Sequence, residues 1–168
     1  MTWKHGRQTP DNNLMRFVAR RFPEWDGVFL DIGSGEDANA RELRFRGFHV
    51  VTIDKDPEAD AYLCDDIRDV DFDPGFDCIY DINTLCHVDR PPFEKIKSWL
   101  KPDGVFFSIC PTLNTSERVK EGKEFTRLAS EYDLVAMLKM FSQVKIGSAH
   151  SHLPGEDCFR SWIVEAHP

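Results

Sequence analysis

The chain has 168 residues, 41% of them apolar and 30% charged, with a formal net charge of −8. That length suits one domain with a real core, and no apolar run approaches the roughly 20 residues of a membrane-spanning helix. The acidic balance repels polyanions and so disfavours a nucleic-acid partner. Five cysteines, Cys64, Cys78, Cys86, Cys110 and Cys158, are odd in number and scattered, mostly within apolar runs, with no Cys-x-x-Cys pair. They read as reduced, buried thiols of a cytoplasmic protein. The opening "MTWKHGRQTPDNN" lacks the apolar core of a secretory signal, in keeping with that compartment.

In chain order, Leu14, Phe17, Val18 and Phe22 recur at helical spacing and predict a helix over 13–22. "GVFLDI" is a short continuous apolar run, as in a strand buried on both faces. "EDANARELRFRG" reads as a helix closed by Gly47, and "FHVVTID" as the next strand. The arginines of "ARRF" and "RELRFR" read as solvated faces of these helices. A third strand is expected near "AYLC". Only about six residues separate it from the second, too few for a crossover helix, so that flank of the sheet should be thinly covered. The segment 65–75 shows no helical stripe either. A thin flank predicts a self-association face and a homodimer.

"FDCIYDI" and "GVFFSI" are two further strands around the helical "PPFEKIKSWLKPDG". A helix is expected over 125–137. Two last strands, "FSQVKI" and "CFRSWIVEA", follow as an antiparallel pair joined by "GSAHSHLPGED". The alternation predicts an α/β domain spanning 1–168, an open and mostly parallel sheet with helices on both faces.

The stretch "VFLDIGSGEDANA" sets the ligand chemistry. Gly33 and Gly35 form a turn at a strand end, where a ligand can approach bare backbone. In a dinucleotide site this turn meets a pyrophosphate, which the carboxylates of Asp31, Glu36 and Asp37 would repel. A ligand with a cation near the turn suits them better.

At this point the sequence resembles the class I S-adenosylmethionine-dependent methyltransferases, whose motif apolar-x-Asp/Glu-x-Gly-x-Gly is supplied by "FLDIGSG". The resemblance implies a three-layer αβα Rossmann-like fold, here with an antiparallel last strand and reduced helices between the second and fourth strands. It implies S-adenosyl-L-methionine as cofactor. Asp31 would hold the methionine end, commonly through water or a turn amide, beside Gly33, Ser34 and Gly35, with Asn39 and Lys55 also on the cofactor side. Asp37 replaces the motif's frequent third glycine. Asp54, ending "VVTID", would accept both ribose hydroxyls. In "CDDIRDVDF", Asp66 would take the adenine amino group and the backbone of Ile67 a ring nitrogen. "FDCIYDINTLCHV" and "LKPDGVFFSI" resemble the fourth and fifth motifs and bring Tyr80, Asp81 and Asn83 beside the transferable methyl. Taken singly, Asp31 or Asp54 could merely cap a helix or a turn, and Tyr80 could face the core.

His87 is the candidate general base, since its loop faces the methyl in related enzymes and imidazole titrates near neutrality. The alternative is a structural residue capping the next helix. His150 and His152, in the loop between the last strands, could contact the acceptor. With His87 they could supply three metal ligands, but no carboxylate spacing supports that and no metal is expected. The start "W-x-x-G", with Trp3 and His5, followed by "PDNNLMRFV", is vaguely similar to the N-terminal lid of tellurite-resistance-type methyltransferases, making 1–24 a lid and helix.

"DINT" stands where exocyclic amino methylation of DNA uses Asn/Asp-Pro-Pro-Tyr/Phe. A small-molecule acceptor is therefore expected ahead of a protein or nucleic acid. A non-catalytic cofactor-binding subunit remains open. So does a nicotinamide oxidoreductase, since "GSGEDA" nearly fits Gly-x-Gly-x-x-Gly/Ala, although Asp31 disfavours it.

Overall fold

The computed structural model describes residues 9–88, 90–111, 138–151 and 159–168. Seven strands form one sheet: β1 (Val28–Ile32), β2 (His49–Asp54), β3 (Leu63–Cys64), β4 (Phe76–Ile82), β5 (Leu100–Pro111), β6 (Gln143–Ser151) and β7 (Phe159–His167). Their spatial order is β3-β2-β1-β4-β5-β7-β6. The first five are parallel, and β7 lies antiparallel to both β5 and β6. The expected αβα fold with an antiparallel last strand is the one observed.

Three α-helices are described: α1 (Asn12–Arg21), α2 (Ala38–Phe45) and α3 (Phe93–Trp99). The carboxylate of Asp11 caps α1 by accepting from the N–H groups of Asn13 and Leu14 at 2.8 and 3.1 Å, which sets its start one residue before the expected boundary. Leu14, Phe17 and Val18 are buried as their spacing predicts. Phe17 stacks on Phe107 of β5 at 4.3 Å between centroids.

Alternation along each strand divides the core. Phe29 and Cys78 face α1 and α2, joining Leu14, Leu43 and Phe48. Leu30 and Ile79 face the opposite way, joining Phe93, Ile96 and Trp99 of α3. Both faces of the central strands are therefore buried, the physical reason their sequences are continuous apolar runs.

The thin flank is real: among the described residues no helix lies between β2 and β3 or between β3 and β4. Instead, Tyr62 donates its backbone N–H to Thr52 Oγ1 at 2.9 Å, and Asp65 donates to the Asp54 carbonyl at 3.1 Å. Phe72 takes a helix's place on one face, edge-on to Phe76 and Trp99 at 5.4 and 5.1 Å. The Tyr62 side chain stays outside, 78% exposed.

Two boundaries differ from expectation. Read from sequence, "LKPDG" is a turn before the fifth strand, yet β5 begins at Leu100. Its register with β4 steps from Phe76↔Leu100 to Cys78↔Val105, so residues 101–104 bulge. A Cβ at Gly104 would lie 2.9 Å from the Phe76 carbonyl oxygen, so only glycine fits there. The other difference is in β6, which continues through Ser151. His150 is thus a strand residue in register with Arg160, not a loop residue, because the partner strand is long enough to extend the ladder. The helix expected over 125–137, along with Trp3, His5, His152 and Cys158, lies outside the described residues. Cys78, Cys86 and Cys110 are buried thiols as expected, whereas Cys64 is exposed on the edge strand. Among the described residues no helix is long and apolar enough to cross a membrane.

Candidate active site

The carboxyl ends of β1, β2 and β4 converge on the glycine turn. Gly33 and Gly35 have φ of +74° and +54°, the left-handed region that a side chain strains. The Gly33 N–H donates to the Ile53 carbonyl at 2.7 Å. A Cβ on Gly33 would lie 2.2 Å from both Oγ1 and Cγ2 of Thr84, so the turn after β1 packs directly against the loop after β4. Sequence reasoning missed Thr84, and no local signal marks it.

Asp54 closes this turn from the neighbouring strand. Its Oδ2 accepts the Gly35 N–H and its Oδ1 the Asp56 N–H, both at 2.9 Å. Each carboxylate oxygen has a second lone pair, so the group can still accept from a diol.

Asp31 sits one pleat deeper, 2% exposed, in register with Tyr80 of β4. The Tyr80 hydroxyl donates to Asp31 Oδ2 at 2.8 Å. Burial pushes the Asp31 carboxyl up to about 8, opposed by the Tyr80 bond and reinforced by the charges of Asp37, Asp81 and Asp54. Tyr80 itself is fully buried, with its ring among Phe29 and Phe107.

The other expected residues divide. Asp81 is completely buried and accepts three bonds: from Thr84 N–H and Leu85 N–H at 2.8 and 2.9 Å on Oδ1, and from the Ser108 hydroxyl at 2.8 Å on Oδ2. Burial raises it to about 6 against the pull of those donors. It fastens the single 3-10 turn Leu85–His87 onto the sheet, which puts half-buried His87 just beyond β4. The N-cap position of α3 is Pro92, whose side chain makes no capping hydrogen bond.

Asp37, with φ of +62°, accepts on Oδ2 from the Arg44 guanidinium at 2.6 Å, so the charge expected to face the ligand is answered within the protein. Burial raises its pKa and Arg44 lowers it. Glu36 is exposed. Asn39 Oδ1 accepts the Asp11 N–H at 2.7 Å and so ties α1 to α2. Asp66 is chelated by Arg68, at 2.9 Å to Nε and 2.7 Å to the terminal nitrogen. Arg68 holds its carboxyl low, at about 2. Lys55 is exposed near enough to Asp66 to lower it further. The side chain of Ile67 is buried in the α3-side core.

His150 lies near the carboxyl end of β6, at the same end of the sheet as the glycine turn, since β5 and β6 both run antiparallel to β7. The backbone of β6 lies three strand spacings from β4, roughly 14 Å. Among the described residues, no group of three His, Cys, Asp or Glu could hold a metal ion.

Three buried polar atoms near the turn have no hydrogen-bond partner: Ser34 Oγ and Asp37 Oδ1 beside the β1 turn, and Asn83 Oδ1 beside the β4 turn. Asn83 is also left-handed, with φ of +61°. Orphaned polar atoms and strained backbone at converging strand ends suit a site that a polar ligand completes.

The sequence matches the family described as a methyltransferase domain over residues 3–150. The chain belongs to this family. No curated protein sequence matches it. A solved S-adenosylmethionine-dependent methyltransferase from Methanosarcina mazei is 17% identical with a TM-score of 0.70, covering 95% of this chain and 98% of the other. Phosphoethanolamine N-methyltransferase 2 of Haemonchus contortus, solved with phosphomonomethylethanolamine and S-adenosylhomocysteine, is 16% identical with a TM-score of 0.75. It covers 98% of this chain but 56% of its own. A chain in the complex of the Haloferax volcanii Trm112 activator with a methyltransferase gives 16% and 0.70 over 92% and 88%. This methyltransferase thus shares its fold with these structures, and its site contains the Asp31–Tyr80 pair, the Asp37–Arg44 pair and the Asp81 clasp.

Proposed function

We propose that this S-adenosylmethionine-dependent methyltransferase alkylates a small molecule, with residues 1–168 as one domain and 1–24 as its lid and first helix. What carries the reading of the site is the turn itself: bare backbone at Gly33 to Gly35, clasped by Asp54, with Asp31 beneath and buried polar atoms left for a ligand to satisfy. Asp54 would accept the ribose hydroxyls, Asp31 would face the cationic methionine end, and Ser34 and Asn83 would complete the cradle. Asp66 and the Ile67 backbone would take the adenine edge once Arg68 yields one of its bonds.

The donor supplies an electrophilic methyl whose sulfonium charge vanishes during in-line displacement. The protein holds the two partners in line and keeps water out. His87 would take the proton of a nucleophile that arrives protonated. Tyr80, with its hydroxyl committed to Asp31, serves the cofactor side of the reaction.

The net charge of −8 argues against a nucleic-acid acceptor, and a fold relative was solved with a small phosphorylated amine. Buried thiols at Cys78, Cys86 and Cys110 suit the reducing cytosol. Exposed Tyr62 beside the short edge strand β3 supports the homodimer reading, and sedimentation of the wild type against Tyr62→Lys tests it. A monomer in both would remove it.

Calorimetric titration with S-adenosylhomocysteine and with NAD tests the central reading. Micromolar binding of the first and none of the second is expected, and the converse would overturn it. Asp54→Ala should weaken the first by about 1–3 kcal/mol. With labelled donor and a panel of small amines, thiols and phenols, His87→Ala should slow turnover and leave donor affinity unchanged.

A further inference from the structure

Tyr80 and Asp31 are register partners on neighbouring parallel strands, and both side chains leave the sheet on the α1/α2 side. The phenol is completely buried and the carboxyl 2% exposed. The 2.8 Å bond occupies Oδ2 of the carboxyl, while no described residue donates to Oδ1. A phenol in an otherwise apolar cluster of Phe29, Cys78 and Phe107 needs a reason, because phenylalanine would pack equally well there.

We propose that Tyr80 is a positioning residue for the methyl donor: its hydroxyl fixes Oδ2 of Asp31 so that Oδ1 is kept for the donor's α-ammonium, and the carboxyl gives up a proton as that cation arrives. This rests on the donor reading above and goes beyond it by assigning the phenol and the proton.

The surroundings supply the coupling. Asp37 in the turn before α2, Asp54 at the end of β2 and Asp81 on β4 all bear on Asp31 with like charge, and Arg44, the cation bonded to Asp37, is engaged there. The Cys78 thiol on β4 is held neutral by burial. With the site empty, the carboxyl therefore sits near 8 and is mostly protonated at pH 7. An ammonium ion at Oδ1 favours the ionised form, so binding releases a proton and affinity rises with pH. Tyr80 donates to the ionised form. Without that bond, ionisation becomes harder and the rise moves to higher pH.

S-adenosylhomocysteine, which carries the α-ammonium, is titrated calorimetrically from pH 6 to 7 in buffers of different ionisation enthalpy. About one proton should be released, with affinity rising up to about tenfold across that unit of pH. Tyr80→Phe should bind more weakly at pH 7 with its rise displaced upward, and Asp31→Asn should bind weakly with no pH dependence. Wild-type binding with no proton released, or a Tyr80→Phe profile identical to wild type in a protein of native circular dichroism, would overturn the proposal. The proton count on the unmodified protein keeps the test intact should Tyr80→Phe misfold. Failure of the wild type to bind at any pH would instead sink the donor reading itself, and this proposal with it.

Discussion

At Gly33 a single methyl group is the whole difference between a closed turn and a clash, since a Cβ there would meet Thr84 at 2.2 Å in a backbone with φ of +74°. Gly33→Ala should cost about 2–4 kcal/mol by combining overpacking with left-handed strain, read by urea unfolding. Thr84→Ala should not rescue it, because the Cβ of residue 84 would still be 2.6 Å away. The two glycines and Asp54 were legible in the sequence because each sits at a strand end that the apolar pattern marks. What Asp54 holds was not legible: its bond to Gly35 depends on two parallel strands ending level, Ile32 beside Ile53. The Asp31–Tyr80 bond is hidden for the same reason, since it needs the register of β1 on β4. An acid at a strand end reads alike in sequence whatever it bonds to, so the three internal donors of Asp81 and the two of Asp54 emerge only with the register of the strands.

Among elements, the loop from β4 into the Leu85–His87 turn depends on that clasp. Asp81→Ala leaves two backbone N–H groups without their acceptor and should cost about 2–4 kcal/mol in thermal or urea unfolding. Ser108→Ala, which removes one of the three bonds, should cost about 1 kcal/mol. The comparison measures how firmly His87 is held. The missing helix between β2 and β3 was readable from residue count, because so short a connection has no room for one, and the one missing between β3 and β4 from the lack of a helical stripe over 65–75. The bulge at 101–104 was not: Lys-Pro-Asp-Gly looks the same in a free turn as in a turn annexed by a strand. His150 was misplaced in a loop because the ladder to β7 is a tertiary fact, decided by a partner of equal length.

For the whole molecule, the buried acids make the empty protein sensitive to pH. Asp31 near 8 and Asp81 near 6 both lie above the ordinary 3.8, so between about pH 4 and 8 the native state binds more protons than the unfolded chain. Their contribution is full below pH 4 and is lost as pH rises, through about 6 for Asp81 and about 8 for Asp31. Asp66, held near 2, acts oppositely, its contribution falling away as pH drops from 4 toward 2. Scanning calorimetry without ligand should therefore show Asp31→Asn melting above the wild type at pH 8, with the gap closing toward pH 4. A gap independent of pH would contradict the assignment. Strand order carries a different consequence. Because β7 is wedged between β5 and β6, the ladder that joins β6 to the rest of the sheet is made by residues 159–167. During synthesis β6 must therefore wait for its one partner among the described strands until that segment emerges from the ribosome, which makes β7 the keystone of assembly.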